Sequence, residues 1–443
     1  MILGVSNKVF YYKNSGVYTT FDLCYRLTFK ENVDVEVLQK ATRQTLTLFP
    51  EFSVYPAIIR NRLVYKRNTA AVACFNEYTG SHVFGTHETN GYLFCFYVMR
   101  NELCVSFFHG LTDCRGMFQF LNVLVSYYYH YCTQEEKKSD TFRTLAKSSI
   151  RLLANAADEG RLCDPYTDIA TTKVNLRPKH LVESFLDVKK HDAFVIPEDS
   201  LYPHSNLVYR HSLCIDNNAF TKKVKERQTR FSLLLAIIIA SAIADVYDKM
   251  SKPIIVMLPV DLRPYYKINT AVNFSDGIFL PFTMDFLKSD MDVQCKKLKE
   301  IAEAQLDVNY FDQVILNKVE LIRDLEQSGK SVVELSENLL KRSFERREKK
   351  ATFALSYIGR QYFPFPQSSI VESIHPDFWF HSFGVVVSVC NDEMELLFAQ
   401  RFESDDIILA CQKRFEKMGF LAKRKNIGSL QANPLLLNRL KTF

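Results

Sequence analysis

Several features that usually reveal the class of a protein are missing from this sequence. Its 443 residues include 11 cysteines, but these are scattered and form neither a C-x-x-C pair nor a cysteine–histidine spacing typical of a metal site. We therefore expect a reducing compartment, the cytoplasm, and no bound metal. The N-terminus has no basic stretch followed by an apolar one, so no signal peptide is expected. The most apolar run, residues 231–244, is shorter than the roughly 20 residues that span a bilayer, which predicts a buried helix and no transmembrane segment.

Motifs for covalent catalysis and for phosphate binding are missing as well. The chain has only 14 glycines, and none belongs to a G-x-S-x-G elbow or to a glycine-rich phosphate loop. No cysteine stands in an obvious nucleophile motif. The basic residues within 341–350 are interleaved with acidic ones, which is typical of a solvated helix face. These absences argue against a covalent enzyme intermediate.

The composition predicts a protein with a large core. Hydrophobic residues make up 47% of the chain, and its length favours two lobes over one. The net charge of +6 comes from 56 basic and 50 acidic residues that are mixed along most of the chain. This mild excess argues against a nucleic-acid partner and is compatible with a locally basic groove. We expect a monomer.

Hydrophobic periodicity predicts an α/β fold in which helices follow some of the strands. We assign residues 1–175 to an N-terminal lobe, 176–205 to an irregular connection, and 206–443 to a C-terminal lobe. The predicted strands are 24–29, 57–65 as one hairpin arm, 92–99, 103–108, 207–215, 254–258, 273–282, 353–358, 384–390 and 394–399. The predicted helices are 34–48, one beginning near 117, 142–157, 219–227, 232–247 and 405–417, the last capped by Ser404.

The connection between strand 103–108 and the helix near 117 carries the residues best suited to catalysis. His109 and Asp113 form an H-x-x-x-D motif there, and Gly116 follows. The spacing alone has little force, because a chain with 10 histidines meets it by chance about half the time, and a satisfied histidine at a strand end is the ordinary alternative. The context is more specific, since a loop at the carboxyl end of a strand is a usual place for chemistry in α/β folds.

Four sequence elements in order resemble the CoA-dependent acyltransferase superfamily, which includes chloramphenicol acetyltransferase, alcohol acetyltransferases and nonribosomal-peptide condensation domains. The alcohol-acetyltransferase-like branch is the most similar. The elements are 34–52 with its Leu-Phe-Pro-Glu-Phe ending, 109–116 with the H-x-x-x-D motif, 259–263 followed by 273–274, and 355–359. They are spread over almost the whole chain.

The resemblance implies a pseudo-dimer of two chloramphenicol-acetyltransferase-like lobes with a tunnel between them. Acyl-CoA would enter as a co-substrate from one mouth and a small-molecule alcohol or amine from the other, with no tightly bound cofactor. His109 would take the proton of the acceptor while the acceptor attacks the thioester carbonyl, and would then protonate the leaving thiolate. Whether the acyl group is acetyl stays open.

The resemblance also implies how the loop of His109 is held. Asp113 would pair with a buried arginine, for which Arg263 is the candidate, since either charge left alone in the interior would cost several kcal/mol. The ordinary alternative for Arg263 is an exposed cation. Gly116 is a second candidate for support, because glycine gives the backbone freedom.

Three further residues are candidates for contact with the reacting groups. Ser356 and the backbone N–H groups after Asp113 could stabilise the oxyanion, although an ordinary strand serine is the equal alternative. Asn273 and Tyr357 could bind substrate, although an asparagine at a turn or strand start is common.

Two positions depart from the family pattern and leave alternatives open. Phe108 stands where many relatives have a first histidine, and Cys114 stands where the family has glycine. The second departure puts full activity in doubt, because glycine there lets the backbone approach the reacting carbonyl. The alternatives are a free-standing condensation-type enzyme that takes its acyl group from a carrier protein, and an inactive binding protein of the same fold.

Overall fold

The computed structural model describes residues 8, 11, 22–78, 82–133, 164–172, 193–198, 207–336, 351–363, 367–378, 383–431 and 441–442. The helix predicted at 142–157 lies outside the described residues. Of the predicted connection at 176–205, only 193–198 falls within them.

The described residues form a mixed α/β structure, and this predicted class is confirmed. The strands are β1 Asp22–Phe29, β2 Val54–Ile59, β3 Arg62–Arg67, β4 Cys74–Phe75, β5 Phe94–Met99, β6 Glu102–Phe108, β7 Leu207–Asp216, β8 Ile254–Asp261, β9 Ser275–Phe282, β10 Phe353–Arg360, β11 Val371–Phe378, β12 Gly384–Cys390, β13 Glu393–Gln400, β14 Lys423–Gln431 and β15 Lys441–Thr442. The helices are α1 Val35–Leu48, α2 Cys114–Thr133, α3 Pro165–Thr172, α4 Asn217–Glu226, α5 Phe231–Val246, α6 Arg263–Tyr266, α7 Met284–Lys288, α8 Met291–Gln305, α9 Val308–Gln327 and α10 Asp406–Lys417.

A five-stranded sheet in the order β11-β1-β6-β5-β4 is the centre of the N-terminal lobe. Its apolar face is covered by α2, where the ring of Phe120 packs 4.7 Å from Phe52 and 5.4 Å from Phe94. Helix α1 lies against α2, and the backbone N–H of Asp34, its N-cap, donates to the hydroxyl of Tyr128. These aromatic contacts fix the helix that follows β6 against the strand that precedes it.

The opposite face of the same sheet is polar and points towards the C-terminal lobe. Side chains alternate along a strand, so Asp22, Cys24 and Arg26 of β1 share this face. Arg26 lies 3.6 Å from the carboxylate of Asp377 on β11. Asp377 in turn pairs with the buried Arg210 on β7. A charged contact between the lobes therefore forms where two sheets face each other.

A seven-stranded sheet in the order β14-β7-β13-β12-β10-β8-β9 forms the C-terminal lobe. Helix α5, which is buried along most of its length, contacts β8 and β10 and packs against α10. Taken singly, none of the described helices has both the length and the apolar character to cross a membrane; α4 and α5 meet that test only as a pair bent by 96°.

The sheets do not divide along the chain as the predicted lobe boundaries do. β11 lies in the segment assigned to the C-terminal lobe, yet it pairs antiparallel with β1 in the N-terminal sheet. β15 pairs in parallel with β2, in a three-stranded sheet of the order β15-β2-β3. The exchanged strand satisfies the backbone groups on one edge of β1. Strand patterns in a sequence do not say which sheet a strand joins.

Other elements differ in extent from the prediction. The single arm predicted at 57–65 is a complete hairpin, because Arg60 and Asn61 take positive φ angles and turn the chain between β2 and β3. β8 runs on to Asp261. α7, α8 and α9 were not predicted. They contact β9 through Phe286, Gln305 and Lys318 respectively.

Candidate active site

His109 and Asp113 occupy the short connection between β6 and α2. Leu111 N–H donates to the carbonyl of Phe108, which tightens the chain directly after the strand. At the start of α2, the carboxylate of Asp113 accepts from the N–H of Gly116 at 2.9 Å, as a capping aspartate does. The strand, the turn and the cap together set where the two motif residues lie.

Arg263 forms a two-point ion pair with Asp113. Both nitrogen-to-oxygen distances are 3.0 Å, and each side chain is only 7% exposed. The remaining guanidinium N–H groups donate to Thr270 O, Val272 O and the Asp261 carboxylate. These bonds use all five donors that an arginine has. Burial lowers the pKa of Arg263, but the charge and hydrogen bonds of Asp113 and Asp261 raise it above its ordinary value.

The C-terminal lobe holds the loop at two further points. The N–H of Phe274 donates to Asp113 Oδ2 at 2.8 Å, and the hydroxyl of Thr112 donates to the carbonyl of Ala271. With the pair to Arg263, these contacts tie the N-terminal end of α2 to the segment between α6 and β9. The loop that carries His109 is thus fixed by both lobes.

Gly116, in the first turn of α2, lies in close contact with the other lobe. A Cβ atom there would lie 2.0 Å from the carbonyl oxygen of Ala271 and 2.3 Å from Thr112 Oγ1. The reason for glycine is therefore the contact with the other lobe, whereas sequence reasoning expected backbone freedom. A methyl group cannot fit without a shift of the backbone.

The imidazole of His109 is partly exposed, and its Nδ1 atom is surrounded by polar groups. Nδ1 lies 3.2 Å from the carbonyl oxygen of Thr112 and 2.9 Å from Nδ2 of Asn273. Burial lowers the pKa of His109, and Asp113 and the carbonyls of His109 and Thr112 offset this only in part. The ring is therefore neutral at neutral pH. When Nδ1 carries the proton towards Thr112 O, Nε2 is the nitrogen that accepts a proton.

Asn273 lies beneath the histidine and is 1% exposed. Its Nδ2 donates to the backbone carbonyl of His109 at 2.9 Å, and its Oδ1 accepts from the hydroxyl of Ser275 at 3.1 Å. The structure therefore brings Asn273 to the motif, with its amide engaged by protein groups.

Ser356 and Tyr357 are neighbours on β10 and point to opposite faces of the C-terminal sheet. The ring of Tyr357 stacks on Phe231 of α5 with centroids 5.1 Å apart, so it faces the helix layer. Ser356 is half-buried on the other face, opposite Val386 of β12. Within the described residues, no hydrogen bond joins Ser356 to His109 or Asp113.

The two departures from the family pattern, Phe108 and Cys114, both lie against aromatic side chains of the N-terminal lobe. Phe108 is buried, and its ring meets Tyr11 edge-on at 4.9 Å, so this position is used for packing. Cys114 begins α2, and its carbonyl accepts from the hydroxyl of Tyr25 at 3.1 Å. Burial and then the charge of Asp113 raise the pKa of the Cys114 thiol well above its ordinary value. The thiol is protonated and is a poor nucleophile.

Sequence reasoning missed the residues that support this loop from behind. Thr112 donates through its hydroxyl to the carbonyl of Ala271. The carbonyls of 270–272 are backbone atoms, which leave no sequence signal. Tyr166 of α3 donates to Ser275 O at 2.8 Å, and its ring meets Phe274 at 5.6 Å. Tyr166 lies in a part of the chain, between the predicted helix 142–157 and the predicted strand 207–215, for which no helix or strand was predicted. No group of histidine, cysteine and acidic residues within the described ranges could hold a metal ion.

No protein-family model and no curated protein sequence matches the chain. Solved structures do match it over nearly their whole length. Polyketide synthase associated protein 5 from Mycobacterium tuberculosis is 13% identical, with 94% of this chain and 97% of that one covered and a TM-score of 0.57. TRI101 of F. sporotrichioides, complexed with coenzyme A and T-2, is 10% identical, with 95% and 98% covered and a TM-score of 0.58.

A third similar structure is a variant of the starter condensation domain of rhizomide synthetase RzmA in complex with C8-CoA and Leu-SNAC. It is 10% identical, with 94% of this chain and 93% of that one covered and a TM-score of 0.55. At such identities, the likeness shows the fold. The protein therefore has the two-lobed fold shared by condensation domains and TRI101, and the predicted recognition of this fold is confirmed.

Proposed function

We propose that this protein is an acyltransferase that moves an acyl group from acyl-CoA to a hydroxyl or amine. The observation that carries the proposal is the geometry of His109. Its ring is neutral, its Nδ1 faces the carbonyl of Thr112, and its loop is fixed by the buried pair of Asp113 and Arg263. A neutral and oriented imidazole between two lobes is suited to general-base catalysis.

The proposed reaction is a direct transfer in a ternary complex. Nε2 of His109 takes the proton from the acceptor O–H or N–H as that atom bonds to the thioester carbonyl carbon. The tetrahedral intermediate then loses its C–S bond, and the thiolate takes the proton from the imidazolium. Ser356 is our candidate side-chain donor to the oxyanion, beside the N–H groups of Cys114 and Arg115. The N–H groups of Gly116 and Met117 are already bonded to Asp113. Preorganised donors at this position favour the transition state.

The likeness in fold supports this class of reaction and leaves two donors open. TRI101 was crystallised with coenzyme A, and the rhizomide synthetase domain with an acyl-CoA. The likeness to condensation domains equally favours an acyl group carried on a protein-bound thiol. CoA is our choice, as a co-substrate that leaves after each turnover.

The test is a screen of acyl-CoAs against alcohols and amines in which the release of free thiol is measured. His109→Ala should lower turnover by about 10²-fold or more. His82→Ala is a matched control, because His82 is also half-buried with a lowered pKa but lies away from the loop. If free thiol is released only from an acylated carrier protein, the acyl donor is that carrier protein and not acyl-CoA. Wild-type turnover in His109→Ala would contradict the role of His109, and no release from any donor would contradict the proposed function.

A further inference from the structure

Two kinds of group compete for Nδ1 of His109. The carbonyl oxygen of Thr112, 3.2 Å away, accepts a proton from it, whereas Nδ2 of Asn273, 2.9 Å away, is itself a donor. The amide orientation follows from its other contacts. If the amide were turned over, its oxygen would lie 2.9 Å from the carbonyl oxygen of His109, and two acceptors would meet.

The amide of Asn273 is held in this orientation from behind. The hydroxyl of Ser275 donates to Oδ1 of Asn273 at 3.1 Å, and the carbonyl of Ser275 accepts from the hydroxyl of Tyr166 at 2.8 Å. With 1% exposure, Asn273 has no open surface for substrate. Its bonds form a series that runs from α3 through the start of β9 to the backbone of His109.

We infer that Asn273 is a positioning residue that orients the imidazole of His109 through its backbone carbonyl and opposes the charged form of the ring by directing an N–H at Nδ1. This inference rests on the proposed role of His109 as the base. It replaces the expectation that Asn273 binds substrate.

The physical reason lies in the protonation of Nδ1. An amide donor 2.9 Å from Nδ1 opposes hydrogen on that atom. It therefore disfavours the imidazolium, in which both ring nitrogens carry hydrogen, and equally the neutral form with hydrogen on Nδ1. Asp113 is the charged group that favours the imidazolium, and its own charge is balanced by Arg263. Asn273 therefore lowers the pKa of the ring and competes with the carbonyl of Thr112 over which ring nitrogen carries the proton of the neutral form.

A carboxylate of nearly the same size as the amide reverses its effect at Nδ1 and also removes the bond to the carbonyl of His109. In Asn273→Asp, an acceptor and a negative charge face Nδ1, which should raise the pKa of His109 by about one or more. Ser275→Ala, which leaves the amide less well oriented, should give a smaller rise. The pKa and the tautomer are read from an NMR titration of the ¹⁵N-labelled ring of His109 in the full chain.

Asn68→Asp is the matched control. Asn68 is also a buried asparagine, and its Nδ2 donates to the carbonyl of Asn90 at 2.9 Å while its Oδ1 accepts from Ala70 N at 3.1 Å. This variant should leave the titration of His109 unchanged. If Asn273→Asp does not fold, Ser275→Ala decides, and an unchanged pKa in the folded variant overturns the inference.

The titration needs no turnover, so it separates this inference from the proposed function. A raised pKa in a protein that transfers no acyl group would uphold the positioning role and contradict the reaction. Where turnover is measurable, the acid limb of kcat/KM should move to higher pH in Asn273→Asp, in step with the NMR midpoint.

Discussion

Two buried aspartate–arginine pairs join the lobes, and they differ in construction. Asp113 and Arg263 meet at two points, and every donor of the arginine is bonded. Asp377 is shared by Arg210 and, at 3.6 Å, by Arg26. Its second oxygen, Oδ1, has no hydrogen-bond partner among the described residues.

The difference shows which contact between the lobes fixes geometry. A two-point pair with all its hydrogen bonds allows one arrangement of the two groups. A carboxylate shared by two arginines keeps compensation for its charge when one of them moves. The pair beside His109 is thus suited to hold an atom in place, whereas the pair around Asp377 holds two sheets together with more tolerance.

Among the variants of these ion pairs, loss of Arg263 should lower the free energy of unfolding the most. Arg263→Ala leaves Asp113 buried without a counter-charge, and we expect a loss of about 3–5 kcal/mol in the free energy of unfolding. Arg210→Ala should cost less, about 1–3 kcal/mol, because Arg26 still faces Asp377. Urea unfolding measures both.

Arg263→Lys refines the test, since lysine keeps the charge and loses the two-point fork. Compared with Arg263→Ala, this variant should recover part of the unfolding free energy, but it should leave the His109 loop nearly as poorly fixed. An equal or larger loss in Arg210→Ala than in Arg263→Ala would contradict the comparison.

Much of the N-terminal lobe could be predicted from local patterns. The alternation in 103–108 and the helical spacing after 117 predict β6 and α2, and the loop between them contains His109 and Asp113. The contact of Asp113 with Arg263 came from a family resemblance, because the two residues are 150 positions apart. Local spacing carries no information over that distance.

The remaining features depend on tertiary contacts. The need for glycine at position 116 arises from a carbonyl of the other lobe, and β11 joins β1 across most of the chain. Neither has a local sequence signal. Tyr357 looked suited to substrate from its place in a motif, but the face on which its ring lies depends on the packing of α5.

The carboxyl of Glu51, which is only partly buried, extends the comparison because no cation pairs with it within the described residues. Burial raises the pKa of Glu51 to about 7. The folded state therefore binds a proton that the unfolded state releases near pH 4.5. This contribution to stability is complete below pH 4.5 and is lost as the pH rises through 7.

Glu51→Gln keeps the shape of the protonated form at every pH. Relative to this variant, the native protein should lose about 2 kcal/mol of unfolding free energy between pH 5 and pH 8. Urea unfolding at the two pH values gives the difference. If the unfolding free energies of the two proteins change equally between pH 5 and pH 8, the charged carboxylate of Glu51 is stabilised in the folded state and the prediction is wrong.

The smallest effect is expected for a pair with the same two-point geometry at the surface. Arg414 meets Asp245 through two hydrogen bonds of 2.6 Å, but the side chains are 35% and 45% exposed. Water solvates both charges when the pair is broken, so Arg414→Ala should cost less than about 1 kcal/mol. This cost should shrink further in 1 M salt, because exposed charges are screened, whereas the cost of Arg263→Ala should stay nearly constant. A loss in Arg414→Ala as large as that in Arg263→Ala would show that the two-point geometry, and not burial, makes the pair beside His109 strong.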